Sequence, residues 1–153
     1  MTRRLDYHAV SPDAAAALRS LERYVRSSGL EKPLLELVRA RASQINGCAY
    51  CLDMHTKDAR AAGESEQRLY TLAAWRETSF FSERERTALA WTEAVTRIAD
   101  SGVSEALYRS VRNHFTEREL VDLTFAIIAI NGWNRLAISF GAEVGSYQPS
   151  HNS

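Results

Sequence analysis

Two copies of one short pattern constrain this chain more than any other feature: Ser82-Glu-Arg-Glu85 and Thr116-Glu-Arg-Glu119. Each matches the capping box, in which an N-cap hydroxyl and the carboxylate three residues on satisfy each other's orphan backbone donors at a helix start. Long helices are therefore predicted over about 83–100 and 117–140. The same punctuation recurs upstream. Ser11-Pro12 offers an N-cap and an N1 proline for a helix running to about Ser28, where Gly29 stops it. Pro33 opens a second helix, whose apolar Leu34, Leu37, Val38, Ala42 and Ile45 recur at threes and fours until Gly47. A third begins at Cys48 and ends at Gly63, Ser65 caps a fourth through Leu69, Leu72 and Trp75, and a shorter one spans Ser104 to His114. No stretch alternates with period two for long enough to make a strand. The expected fold is all-α: one domain over residues 1–153 with six or seven helices, its cysteine-bearing helix following a helical hairpin turn.

The last helix carries a second expectation. Leu120, Val121, Leu123 and Phe125 through Ile130 leave almost no polar face, and such a helix needs cover on every side. A domain this small rarely supplies it alone, so a homo-oligomer is expected. The apolar run itself is too short to span a bilayer, so a core helix rather than a membrane anchor is expected. Nineteen basic residues balance nineteen acidic ones, which argues against a nucleic-acid partner. The first residues lack the apolar segment of a signal peptide, so the expected location is the cytoplasm.

Chemistry concentrates in Cys48-Ala-Tyr-Cys51-Leu-Asp-Met-His55. On a helix these three side chains fall at i, i+3 and i+7 and share one face. A disulfide between residues three apart closes almost no loop, so it stabilises little. Adjacent helical turns nevertheless hold the two Cα atoms roughly 5 to 6 Å apart, within disulfide range. In a reducing cytoplasm such a pair reads as redox-active or metal-binding. An unperturbed thiol is only about 3% thiolate at pH 7, so reactivity requires activation. Two devices are visible, and they favour different sulfurs. The positive end of the third helix favours a thiolate at Cys48, whereas the base His55, one turn from Cys51, favours Cys51. The spacing leaves that choice open.

Glu36 is the candidate third member of a relay. If the second and third helices fold back about Gly47, Glu36 lies about 16 Å up one arm and His55 about 12 Å up the other, an offset side chains bridge. A partly buried Glu36 with a raised pKa would suit a general base. An exposed Glu36 paired with Arg39 at i+3 explains the same residue blandly.

Glu36, eleven residues, Cys48-x-x-Cys51, three residues and His55 resemble the signature of the AhpD-like alkylhydroperoxidases of the carboxymuconolactone decarboxylase superfamily. Arg41-Ala-Ser-Gln-Ile-Asn-Gly47 before the cysteines, Trp75-Arg-Glu77 and Ser82-Glu-Arg-Glu-Arg86 are similar to its single-domain branch, and the likeness covers roughly residues 14–145. The resemblance implies an all-helical subunit in trimers or hexamers, and thiol-dependent reduction of organic hydroperoxides or hydrogen peroxide without a bound cofactor. It implies Cys51 as the peroxidatic sulfur, Cys48 as the resolving one, Glu36 and His55 as a proton relay, and a dithiol reductant such as a lipoyl-bearing protein. The chain departs from the founding members in having one copy of the unit, and Tyr50 where they place a histidine. The superfamily's decarboxylases lack the cysteine pair, so decarboxylation is not expected.

Two rival functions are a zinc site built on Cys48, Cys51, His55 and Glu36, and a non-catalytic oligomeric scaffold or other dithiol module. Tyr50 and Trp75 are expected in the core. His8, His114 and His151 are assigned no function.

Overall fold

The computed structural model describes residues 3–150, so His151 lies outside the described residues. The described chain is all helix and connection: α1 Tyr7–Val10, α2 Pro12–Ser27, α3 Lys32–Asn46, α4 Ala49–Ala61, α5 Glu66–Thr71, a 3₁₀ segment Leu72–Glu77, α6 Glu83–Thr96, α7 Ile98–Ser101, α8 Glu105–Arg112 and α9 Glu117–Phe140. Both capping boxes form, with Glu85 and Glu119 returning to the N-cap backbone of Ser82 and Thr116.

The count exceeds the six or seven expected for local reasons. The helix predicted through Trp75 gives way to a 3₁₀ turn at Leu72, with Ala74 off helical geometry (φ −117°, ψ 30°). The helix predicted to residue 100 stops at Thr96, where Arg97 leaves the helical region, and α7 follows as a single turn. α1 has no periodicity to announce it; Asp6 caps it through the amides of His8 and Ala9. Ser11, read as a side-chain cap, makes no such bond, and the Pro12 ring at N1 starts α2 without it.

α3 is the central helix, packed against α4, α6 and α9. One side joins Leu35 and Val38 to Val25, Ala88, Val111, Leu123 and Ile127. The other puts Leu37 among Leu72, Trp75, Phe81 and Leu89. Leu37 is fully buried, so Leu37→Ala is expected to cost about 2–5 kcal/mol. α9 has the length and hydropathy of a membrane span, yet nine of its residues are buried in the fold, including Asp122 and Asn134. Its cover is incomplete: Val121, Phe125 and Ile128 are exposed at i, i+4 and i+7.

Gly47 makes the turn that positions the site. Its left-handed backbone (φ 68°) lets its N–H and that of Cys48 cap carbonyls at the end of α3, and α4 runs back along α3.

Candidate active site

The Gly47 turn delivers Cys48 and Cys51 into a small apolar cluster with Ala42, Ile130 and Ala137. Both thiols are free, 1% exposed, and their Sγ atoms lie 2.7 Å apart, close enough to share one hydrogen. Cys48 is the N-cap of α4 rather than its first helical residue. Its backbone is extended and its sulfur accepts the Cys51 backbone N–H at 3.4 Å. Negative charge on that sulfur faces the positive end of the helix. A hydrogen bond from the Cys51 thiol, aided by that amide and by Asn134, outweighs burial and lowers the Cys48 pKa to about 7. Cys51 moves the other way, because its proton is held against the Cys48 sulfur and the site is buried. The first negative charge of the pair therefore rests on Cys48.

Of the two devices seen in the sequence, only the helix end contacts a sulfur among the described residues. The helix end serves Cys48, whereas Cys51 and His55 share a cavity of about 200 Å³. No hydrogen bond joins His55 to either sulfur among the described residues; they meet across that cavity.

Glu36 projects from α3 toward α4, and its Oε2 lies 2.9 Å from His55 Nδ1. The relay geometry anticipated across the hairpin is a direct contact. The expected raised pKa is reversed. Burial does push Glu36 up, but the hydrogen bond from His55 and the charges of His55 and Arg39 more than offset it, leaving the carboxyl below its ordinary value. Ionised Glu36 accepts from Nδ1–H, which leaves Nε2 as the nitrogen that exchanges protons. The ion pair with Arg39 also forms, at 2.6 Å, in the interior rather than at the surface.

Arg39 reveals the part of the site that spacing did not. Its side chain is 3% exposed and also grips Glu22 of α2, joining two carboxylates through one guanidinium. Its Nε, buried, meets no acceptor. Glu22 in turn lines the Cys51 cavity. Asn134, fully buried on α9, accepts from Asn46 and donates to Ser43. The Glu36–Arg39 spacing hinted at the first contact, but only the packing of α2 and α9 on α3 brings in Glu22 and Asn134.

The cavity wall contains further residues that the sequence did not mark as part of the site. Tyr50, expected in the core, is half-buried and lines the cavity with Met54, Trp133 and Ala137. Tyr7 and His8 of α1 close one side, held by ring contacts to Phe140 and Trp133. Trp75 is core, as expected, 4% exposed and remote from the thiols. His114 lies just beyond α8, where its carbonyl accepts from Arg84.

A metal reading has two candidate sets. Two thiolates bound to one tetrahedral zinc at about 2.3 Å would lie roughly 3.7 Å apart, wider than this pair. Glu36, His55 and Asp58 bring ligand atoms within 4.8 Å of one another without the cysteines. There Arg39 already holds Glu36, and the Tyr147 hydroxyl donates to Asp58 at 2.7 Å. Both sets are better matched to internal hydrogen bonding than to zinc.

Comparison with known proteins places this geometry among relatives. A model of the carboxymuconolactone decarboxylase family matches residues 12–94. The uncharacterized protein YdfG of Bacillus subtilis is 42% identical over 146 residues, covering 95% of this chain and 99% of its own. A crystal structure from Agrobacterium tumefaciens, of a protein of unknown function described as a candidate antioxidant defence protein AhpD, superposes with a TM-score of 0.92 at 44% identity. It covers 95% of this chain and 100% of that one. The debrominase Bmp8 shares the fold, with a TM-score of 0.80 at 17% identity over 90% of this chain and 74% of its own.

Proposed function

The chain belongs to the carboxymuconolactone decarboxylase family as an AhpD-like member, and from that premise we propose that it is a thiol-dependent peroxidase. The observation that carries the proposal is that Cys51 and His55 line the cavity, while Cys48, which is not part of that wall, holds its sulfur 2.7 Å from Cys51. A hydroperoxide entering the cavity meets Cys51 first.

In the proposed cycle His55 takes the Cys51 proton through Nε2, while ionised Glu36 holds Nδ1–H and steadies the imidazolium. The Cys51 thiolate attacks the terminal oxygen of R–O–OH. An S–O bond forms, the O–O bond breaks, and the leaving alkoxide takes the proton from His55 to become alcohol. Cys51 is now a sulfenic acid, and Cys48, whose sulfur accepts the Cys51 backbone N–H at the positive end of α4, gives up its thiol proton. Its thiolate attacks the Cys51 sulfur, the S–S bond forms, the S–O bond breaks, and the departing hydroxide takes up the proton lost by Cys48 and leaves as water. The sum is two thiols and ROOH giving a disulfide, ROH and water. A dithiol reductant of the cytoplasm, for which a lipoyl-bearing protein has suitable chemistry, then reopens the bridge and is itself oxidised. A place on the cavity wall suits Cys51 to the attacking role, and a sulfur in contact with Cys51 but off that wall suits Cys48 to the resolving one.

The test is a titration of reduced protein with one equivalent of cumene hydroperoxide, counting free thiols. Loss of both thiols in the wild type, a trapped sulfenate in Cys48→Ser and none in Cys51→Ser are expected. Absence of thiol loss over minutes would overturn the peroxidase reading and return the scaffold alternative.

We also propose that the active form is a homo-oligomer, in which the exposed stripe Val121, Phe125 and Ile128 packs against a copy of the chain. With Tyr108 and Trp91 the stripe borders a groove of about 520 Å³. Sedimentation should show an assembly of several subunits for the wild type and a smaller species for Phe125→Glu; a wild type that sediments as a monomer contradicts the proposal.

A further inference from the structure

Cys51 is 1% exposed, so any hydroperoxide it reduces must bring its O–O bond to the bottom of the cavity and leave the rest of the molecule toward the mouth. The lining is divided in kind. Tyr50, Met54, Trp133 and Ala137 offer an apolar surface beside the sulfur. α2 contributes Arg19, Glu22 and Arg26, which at i, i+3 and i+7 form one charged face along the rim.

The charges on that rim do not cancel. Glu22 is already committed from behind, since its carboxylate binds the buried guanidinium of Arg39. Arg26 reaches the same Glu22 oxygen only at 3.5 Å and keeps a side chain 59% exposed. Arg19 has no carboxylate partner among the described residues; its Nη1 donates to His8 Nδ1 at 2.9 Å. Because a guanidinium only donates, that contact fixes His8 with Nδ1 as acceptor and its hydrogen on Nε2, adding another donor to the rim. Arg39 divides one charge between Glu22 and Glu36, so three arginines stand against two carboxylates here, and the surplus positive charge lies at the rim with Arg19 and Arg26.

Resting on the peroxidase reading above, we propose that the preferred substrates are hydroperoxides with a compact apolar or aromatic body and an acidic group at the end remote from the O–O bond. The body packs on Tyr50, Met54 and Trp133, and Arg19 and Arg26 hold the acid at the rim. The rim is solvated, so the attraction is moderate and is weakened by salt.

The experiment compares cumene hydroperoxide with the same molecule carrying a para-carboxylate, as kcat/KM for oxidation of the reduced protein with a dithiol reductant. The carboxylated probe should be favoured roughly tenfold at low ionic strength, less at high salt. In Arg19→Gln/Arg26→Gln that ratio should fall toward one, whereas Arg23→Gln, exposed on α2 but outside this cavity, should keep it. Equal turnover of both probes by the wild type, or a preference that survives the double substitution, would overturn the inference and leave the peroxidase reading standing. If neither probe oxidises Cys51, the peroxidase reading itself falls. The substituted side chains lie at the surface, and circular dichroism separates loss of fold from loss of preference.

Discussion

Glu36 and Glu93 are two inward-facing carboxylates with similar surroundings and different partners. Glu93, on α6, accepts from Trp75 Nε1 at 2.9 Å, Arg41 Nε at 2.9 Å and Arg76 Nη1 at 2.5 Å. Glu36, on α3, accepts from Arg39 and His55. Burial pushes both pKa values up, and the donors around each more than reverse it. The difference lies in what the donors can do. Indole and guanidinium keep their protons throughout the physiological range, so Glu93 is locked as a structural anchor between α3, α6 and the 3₁₀ segment. His55 can gain and lose a proton, and it faces the cavity that holds Cys51. An inward-facing, ionised carboxylate therefore does not by itself single out a site; what sets Glu36 apart is an imidazole partner that opens onto a cavity.

The sharpest way to break this comparison is by rate. Glu36→Gln should slow peroxide-driven loss of the two thiols by about 100-fold, because the imidazolium loses its counter-charge. Glu93→Gln should change the rate less than about twofold in molecules that remain folded. Stopped-flow intrinsic fluorescence would measure both, and an equal loss in the two variants would dissolve the distinction.

Stability should show the reverse order. Glu93→Gln leaves one neutral amide oxygen where two charged oxygens served Trp75, Arg41 and Arg76, an expected cost of about 3 kcal/mol and roughly 10 °C in Tm. Glu36→Gln should cost only about 1 kcal/mol, since Arg39 keeps Glu22 and a neutral amide still accepts from His55. Thermal denaturation of both variants decides the point.

The smallest expected effect is on acid stability. Both carboxyls titrate below their ordinary value of 4.5 when folded, so the unfolded chain binds more protons there. Their contribution is complete above pH 4.5 and is lost as pH falls through the folded values. Urea denaturation between pH 6 and 3 should give a slope that is shallower in either Gln variant than in wild type. An unchanged slope in both would mean that neither carboxyl is depressed.

Much of this site was legible before folding. Cys48, Cys51 and His55 are read from helical spacing, a property of the local backbone, whereas Glu36 rests on the family resemblance, since a surface pair with Arg39 explains it equally well from spacing alone. The helix boundaries were less so: Thr96 and Leu72 end helices whose apolar periodicity runs on, and packing decides there. Glu22 gave no signal, since its contact with Arg39 joins α2 to α3 and is set by how those helices lie together. Tyr50 packs against the core cluster of the cysteines and lines the cavity as well, a double position that packing sets. A half-buried aromatic on a cavity wall has the same sequence signature as one in the core.

By itself, then, the sequence determined an all-helical chain and a dithiol with a histidine on one helical face, since hydrogen-bond caps and side-chain period act over a few residues. The tertiary structure decided which sulfur meets the cavity and which carries the first charge. It also decided that Glu36 is ionised rather than neutral. Those properties depend on desolvation and on charged partners from distant segments, Arg39 with Glu22 and Asn134 on α9, whose distances exist only once the helices have packed.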